Sequence, residues 1–335
     1  MKKSTKIALA LLIGMMFAIS SLSAAPIILK FSHTDQPDGL RDLAAKFFGQ
    51  KIKEYTNGRY EVQVYPSSQL GNDPKNIEQL NLGGIDFTVS ATGSYAPQIP
   101  SLNLTAMPYL VDTYEQGWKL YDESKWLKKQ YDLAPSKGYR FLATWEAGFR
   151  CLTTKDPVKT PADTNGKKLR GYANAMMTEV IKNMGFTIQI MPLNEVYLGI
   201  QQGTVVGQEN PIDTILSNKF YEVAPYVTLT RHVYSPLPLA ISEITWKGLS
   251  KADQALFLKA AQEAAAFSRK SVKEKEAAQL KEMADKGAKI STPDIAAFRK
   301  AMEPVYKIAE TLPGGSPADV KEFLADAAAV RKALP

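Results

Sequence analysis

The sequence predicts an α/β protein of two lobes, with one long helix running along both. Three observations carry this. At 335 residues the chain exceeds what one hydrophobic core usually organises. Strand-like and helix-like segments alternate along most of it, the pattern of mainly parallel sheets covered by helices. And Ser250–Lys286 holds neither proline nor glycine and is rich in Ala, Glu, Lys and Gln. As a single helix that stretch would measure roughly 55 Å at about 1.5 Å per residue, longer than one small lobe.

The elements follow in order. Ile27–Ser32 (IILKFS) reads as a strand. Leu40–Tyr55 carries Leu43, Phe47, Phe48, Ile52 and Tyr55 at helical spacing, and Asn57-Gly58 stops it. Tyr60–Tyr65 alternates as a strand before Pro66, Asp73–Leu82 is a short helix, and Ile85–Ser90 (IDFTVS) is a buried strand. A second cycle begins near Tyr139. Tyr139–Trp145 and Lys168–Tyr172 read as strands, Ala175–Met184 as a helix stopped by Gly185, and Thr187–Met191 as a strand. Asn194 is placed to cap a helix through Gln202 that ends at Gly203. Val205–Gln208 is another short strand. Pro225–Ser242, with its prolines, reads as a crossing back between lobes. Ser250 can cap the long helix and Gly287 can stop it. A kinked pair of helices, or a solvated charged helix without a special role, are the alternatives there.

Residues 1–25 read as a secretory signal peptide. Lys2, Lys3 and Lys6 precede an uncharged apolar run, Ile7 to Ile19, and Ser21, Ser23, Ala24 and Ala25 supply small residues for cleavage after Ser23 or Ala25. The run is shorter than the ~20 residues a spanning helix needs. Cys151 is the only cysteine, so an internal disulfide and an N-terminal lipid-modified cysteine are both excluded. The net charge is +7, or +4 without the three leader lysines. Basic residues are scattered with no aromatic interleaving, which argues against nucleic acid. A mild positive bias suits an anionic ligand.

Catalytic chemistry is scarce. Only His33 and His232 are present, and neither has metal-ligand spacing to a second His or Cys. Cys151 has no nucleophile motif around it, and a lone cysteine usually behaves as a small hydrophobe. No GxGxxG or GxxxxGK[ST] sequence offers a nucleotide cradle. No metal and no cofactor are expected.

Two segments are more specific. Thr144 to Gly171 reads TWEAGFRCLTTKDPVKTPADTNGKKLRG, and Met191 to Pro211 reads MPLNEVYLGIQQGTVVGQENP. With LKFSHT, YPSSQLGND, GGIDFTVS and KFYEV, they resemble the TRAP solute-binding family in order and spacing over essentially the whole chain after the leader. The resemblance implies two lobes of the periplasmic type II kind. Residues 26–147 and about 236–275 would form the first, 148–235 and about 276–335 the second. It implies a receptor without catalysis, secreted to a Gram-negative periplasm. It would hold a small organic acid, sugar acid before C4-dicarboxylate, and hand it to the TRAP membrane permease. A monomer is expected.

By the same resemblance, Arg170 is the arginine that pairs with the ligand carboxylate. Its planar fork matches a carboxylate through two parallel hydrogen bonds, although an arginine can equally pair with a local acid. Arg150 would be a second cationic contact, and Asn210 an amide at the carboxylate, or a cap beside Pro211. Trp145 would be an aromatic wall, or ordinary core. His33, Thr34, Asp35 and Asp73 would read the ligand's polar groups, or serve as caps and turns. Leu193 stands where the family often has phenylalanine, Val206 where aspartate is common, and Ala91 where sialic-acid binders carry glutamate. Two other functions stay open at this point: the binding protein of an ATP-driven importer, and a periplasmic enzyme acting on such an acid.

Overall fold

The structure, a computed structural model, describes residues 25–334. Residues 1–24 of the expected signal peptide (1–25) lie outside the described residues. In chain order the elements are β1 (Ile27–Ser32), α1 (Leu40–Tyr55), β2 (Tyr60–Tyr65), α2 (Asp73–Leu82), β3 (Phe87–Val89), α3 (Tyr114–Glu123), α4 (Lys125–Tyr131) and β4 (Tyr139–Thr154). There follow β5 (Lys168–Gly171), α5 (Ala175–Asn183), β6 (Thr187–Ile190), α6 (Val196–Gln201), β7 (Gly207–Pro211), α7 (Ile212–Ser217), α8 (Phe220–Val223) and β8 (Tyr226–Ser242). The chain ends with α9 (Glu243–Gly248), α10 (Lys251–Asp285), β9 (Lys289–Ser291), α11 (Ile295–Ala309) and α12 (Pro317–Ala333).

Among the described residues the strands form one sheet, in the order β2-β1-β3-β8-β4-β7-β5-β6, with β9 on β8. The outer trios follow the expected parallel pattern: β1 with β2 and β3, and β5 with β6 and β7. The middle does not. β4 and β8 are antiparallel to each other and run through both halves, so the lobes share two strands. The strand expected over Tyr139–Trp145 is longer, reaching Thr154. It continues through a bulge, where the register shifts between Glu146 and Phe149 and Gly148 takes φ +107°. Pro236 and Pro238 lie on β8 opposite Glu146 and Thr144 of β4 and beyond the last pair with β3 at Leu239, so on its β3 side the strand has no ladder there for their missing N–H groups to interrupt.

The long helix stands as expected. α10 spans Lys251–Asp285, roughly 52 Å, and the Ser250 side chain accepts from the Asp253 N–H to cap it. Phe257, Ala260, Ala261, Ala264 and Ala265 pack into one core with Phe31, Phe48, Phe87 and Trp145. Met283, near its other end, joins a second core with Val196, Ile200, Ile215 and Phe220. Small alanines let the helix lie close on the strands, and one rod therefore touches both lobes. Two expectations need correction. Asn194 caps nothing: Pro192, with φ preset, starts a 3-10 turn at Leu193–Glu195 before α6. And α12, expected with the second lobe, packs on α3 and α4, which the sequence placed in the first.

Candidate functional site

The cleft opens at the carboxyl ends of β1, β5 and β6, where open α/β sheets bind ligands. Thr34 follows β1, Asp73 opens α2, Arg170 sits near the end of β5 with Tyr172 just past it, and Leu193 follows β6. Two adjoining spaces result, of about 160 Å3 and 40 Å3, and Asp73, Ser94, Arg170, Tyr172 and Leu193 border both.

The two arginines differ in kind. On β4, Arg150 lies beside β7, where the register pairs it with Pro211 and Cys151 with Asn210. Its Nε donates to Glu209 Oε2 at 2.5 Å and its Nη2 to Glu209 Oε1 at 2.8 Å and Asn210 Oδ1 at 3.0 Å. Its Nη1 reaches Ser235 Oγ at 3.3 Å, and its guanidinium lies 5.4 Å from the Tyr172 ring centre. Burial alone would push the Glu209 carboxyl up, but Arg150 and His232 hold it down at about 2. Arg150 is thus already neutralised by the protein.

Arg170 is not. Its side chain is 4% exposed, yet among the described residues it has no ion pair. Nε donates to the Met191 carbonyl at 3.0 Å, which fixes the plane of the guanidinium. The residue borders both spaces. Burial, with the Arg150 charge adding to it, pulls the Arg170 guanidinium down to about 10. A buried cation held in place and left without a counter-ion is built to receive an anion.

Residues 31–311 match the family described as bacterial extracellular solute-binding protein, family 7. The chain belongs to that family. Among its relatives is the 2,3-diketo-L-gulonate-binding periplasmic protein YiaO of Escherichia coli, 34% identical over 90% of this chain and 92% of that one. The sugar acid binding protein DctPAm of Advenella mimigardefordensis, solved with galactonate, superposes with a TM-score of 0.88 at 28% identity, over 92% of this chain and all of that one. A TRAP periplasmic solute binding protein of Polaromonas sp JS666, bound to D-erythronate, gives 0.85 at 33% identity, covering 90% and 98%. The two-lobed fold and the TRAP-type solute-binding assignment rest on these matches.

Within this family 7 chain, Arg170, Arg150, Asn210, Thr34, Asp73 and Leu193 converge on the cleft. Three of the expected residues, His33, Trp145 and Asp35, do not. His33 is fully buried with Nε2 3.1 Å from Asp42, so it braces α1. Trp145 is 1% exposed and packs on Phe31, with ring centres 5.9 Å apart, in the core beneath the strands; Ala147, beyond it, borders the inner space. Asp35 pairs with Arg41 at 3.0 Å. Asp73 accepts from Ser90 Oγ at 2.7 Å and from Thr34 Oγ1 at 3.4 Å, and meets no cation.

Several residues escaped sequence reading. Glu209 was visible in the Q-E-N-P motif, but its role depends on the β4–β7 register. Tyr172, Ser94 and Arg41 carry no local signal of their own. Asp213 is another such case. The N-cap residue of α1 is Gly39, which has no side chain to offer. The Asp213 carboxylate, from α7, instead accepts from the Leu40 N–H at 3.0 Å, and Gln36 Nε2 donates to Asn218 Oδ1 at 3.2 Å beside it. These bonds tie the start of α1 to α7 across the sheet. Among the described residues no cluster of His, Cys, Asp and Glu has metal-site geometry, and no helix is long and apolar enough to cross a membrane.

Proposed function

We propose that this protein is the periplasmic receptor of a TRAP transporter, that it captures a hydroxylated monocarboxylic acid, sugar acids foremost, and that it delivers it to the membrane permease. The observation that carries the reading is Arg170: buried, oriented by the Met191 carbonyl, and without a protein counter-ion. The ligand carboxylate supplies that counter-ion. Asn210, fixed by Arg150 and by Gln208 at 2.5 Å, stands at the same chamber, and Arg150 holds it rather than meeting the carboxylate alone.

Asp73 refines the class. Cations match Asp35 and Glu209, but Asp73 has only hydroxyl partners. A second ligand carboxylate near it would be repelled, whereas a ligand hydroxyl would find an acceptor. This favours a hydroxy acid over a C4-dicarboxylate; among the solved relatives two hold galactonate and D-erythronate and another holds succinate. Periplasmic residence and a permease partner are supported by the relatives' descriptions and by the leader pattern of residues 1–25.

A thermal-shift screen of sugar acids, dicarboxylates, keto acids and neutral sugars tests this. At a hundred times Kd the best acid should stabilise the protein by about 2.7 kcal/mol. A shift with neutral sugars and none with acids would overturn the carboxylate reading. Consumption of the hit by purified protein over hours would overturn the receptor reading.

A further inference from the structure

The two halves of the cleft have opposite chemistry. The inner chamber is bordered by Thr34, Arg41, Asp73, Arg150, Asn210 and Ser235. The outer one continues past Arg170 and is walled by Pro74, Pro97, Ala173, Ile190, Met191 and Pro192. Those six side chains carry no hydrogen-bonding group stronger than a thioether. The nearby backbone acceptor, the Met191 carbonyl, already takes the Arg170 Nε–H, and the Asn72 side chain is committed as the cap of α2 through Lys75 N. Ile190, at the end of β6, stays 44% exposed. Asp73, Ser94, Arg170 and Tyr172 border it where it adjoins the inner chamber; against the six apolar side chains a ligand hydroxyl would lose water without gaining a partner, while a methyl or aryl group would gain by leaving water.

We propose that the outer chamber is a subsite for an apolar substituent. Beside sugar acids, the cleft then takes a monocarboxylic acid hydroxylated near its carboxylate and ending in a branched aliphatic or aromatic group. The inference rests on the reading of Arg170 as the carboxylate partner. With the carboxylate on Arg170, hydroxyls close to it turn inward to Asp73 and Asn210, and the remote end passes Leu193 into the outer chamber. The walls come from two separate stretches of chain, 72–97 and 170–193, so a filled chamber also helps hold them together.

Calorimetry on the purified protein tests the subsite with acids that share one head group: lactate, 2-hydroxybutanoate, 2-hydroxy-4-methylpentanoate and 3-phenyllactate, beside D-galactonate and D-erythronate. Affinity should rise about fourfold for each methylene that enters the chamber. Ala173→Leu, which fills the space, should weaken 3-phenyllactate far more than lactate. Ile190→Ser, at the exposed rim where folding is least at stake, should weaken it in the same selective way. If galactonate binds while affinity stays flat or falls along the apolar series, the subsite is wrong and the carboxylate reading survives. If no acid of either kind binds, the carboxylate reading fails and takes the subsite with it.

Discussion

Removing either arginine from the cleft should change stability, but in opposite directions. Arg170 is buried with a hydrogen bond to one carbonyl and no ion pair among the described residues. Its fall to about 10 from the ordinary arginine value measures the unrelieved cost of its charge, about 3 kcal/mol as an order of magnitude. Methionine of similar length removes that cost and keeps most of the packing. Arg170→Met should therefore raise the stability of the ligand-free protein by about 1–3 kcal/mol. It should also weaken acid binding by about 3–5 kcal/mol, roughly two to three decades in Kd, because the ligand carboxylate would be buried unpaired. Arg150→Met should do the reverse to the fold. It leaves Glu209 fully buried with His232, 3.2 Å away, as its remaining side-chain hydrogen-bond partner, and costs about 3–5 kcal/mol. Urea unfolding followed by circular dichroism gives the stabilities, and calorimetry gives the affinities. An Arg170→Met protein clearly less stable than the parent would mean that the guanidinium has a partner in the protein, and the argument for a vacant anion seat would fail.

Other predictions follow from the same physics. Arg170→Lys should recover only part of the lost affinity, since an ammonium lacks the two-pronged fork; calorimetry on the pair of variants reads this directly. Glu146, in the β4 bulge, accepts from Tyr234 OH at 2.5 Å, Trp118 Nε1 at 2.8 Å and Gly148 N at 2.7 Å, yet burial pushes its carboxyl up to about 7. Its folded value lies above its unfolded one, so its contribution to stability is complete below about pH 4.5 and is lost as pH climbs to about 7. Glu146→Gln should flatten that decline, about 3 kcal/mol in order of magnitude, in urea melts at pH 5 and 8.5. Asp213, pushed up to about 6 by burial and then by Asp35, behaves with the same sign over lower pH. Asp213→Ala should cost about 1 kcal/mol at pH 5 through the lost cap of α1, while Asp213→Asn, which keeps an acceptor, should cost less. Cys151 is buried and its thiol is pushed up to about 12 by that burial, so it should resist thiol reagents until the protein unfolds.

What the sequence made legible were features written in consecutive residues. The periodicity of Leu40–Tyr55, the breaker-free run after Ser250 and the motif ending at Arg170 each carry their own signal, and each stands in the structure. What it hid depends on pairing between distant strands. Trp145 and Ala147 are two residues apart on one strand, and only the bulge at Gly148 decides which of them meets the cleft. His33 looked like a ligand contact because it sits in the right loop, but Asp42, one helical turn into α1, claims it. The shared strands were hidden for a similar reason: glycine and proline read as loop when no partner is in view, and β4 and β8 supply each other with the partner.

The placement of Glu209 explains why one cleft can carry two arginines. Arg150 and Arg170 stand close enough for each charge to disfavour the other. Without Glu209 both would be buried cations in an empty protein, and the fold would bear both costs at once. Glu209 cancels one of them through two hydrogen bonds to the guanidinium, and His232 and Arg150 together keep it ionised. Arg150 then works as a rigid brace: it fixes Asn210, and its guanidinium lies against the Tyr172 ring, both at the rim of the inner chamber. The remaining charge, on Arg170, is the one the protein leaves unmatched. A ligand with one carboxylate cancels it, and a ligand with two would bring an excess negative charge towards Asp73. On the proposed reading of Arg170, the charge balance of the cleft would favour monoacids over diacids before any hydroxyl is read, and the hydroxyl-binding groups would need only to sort among monoacids.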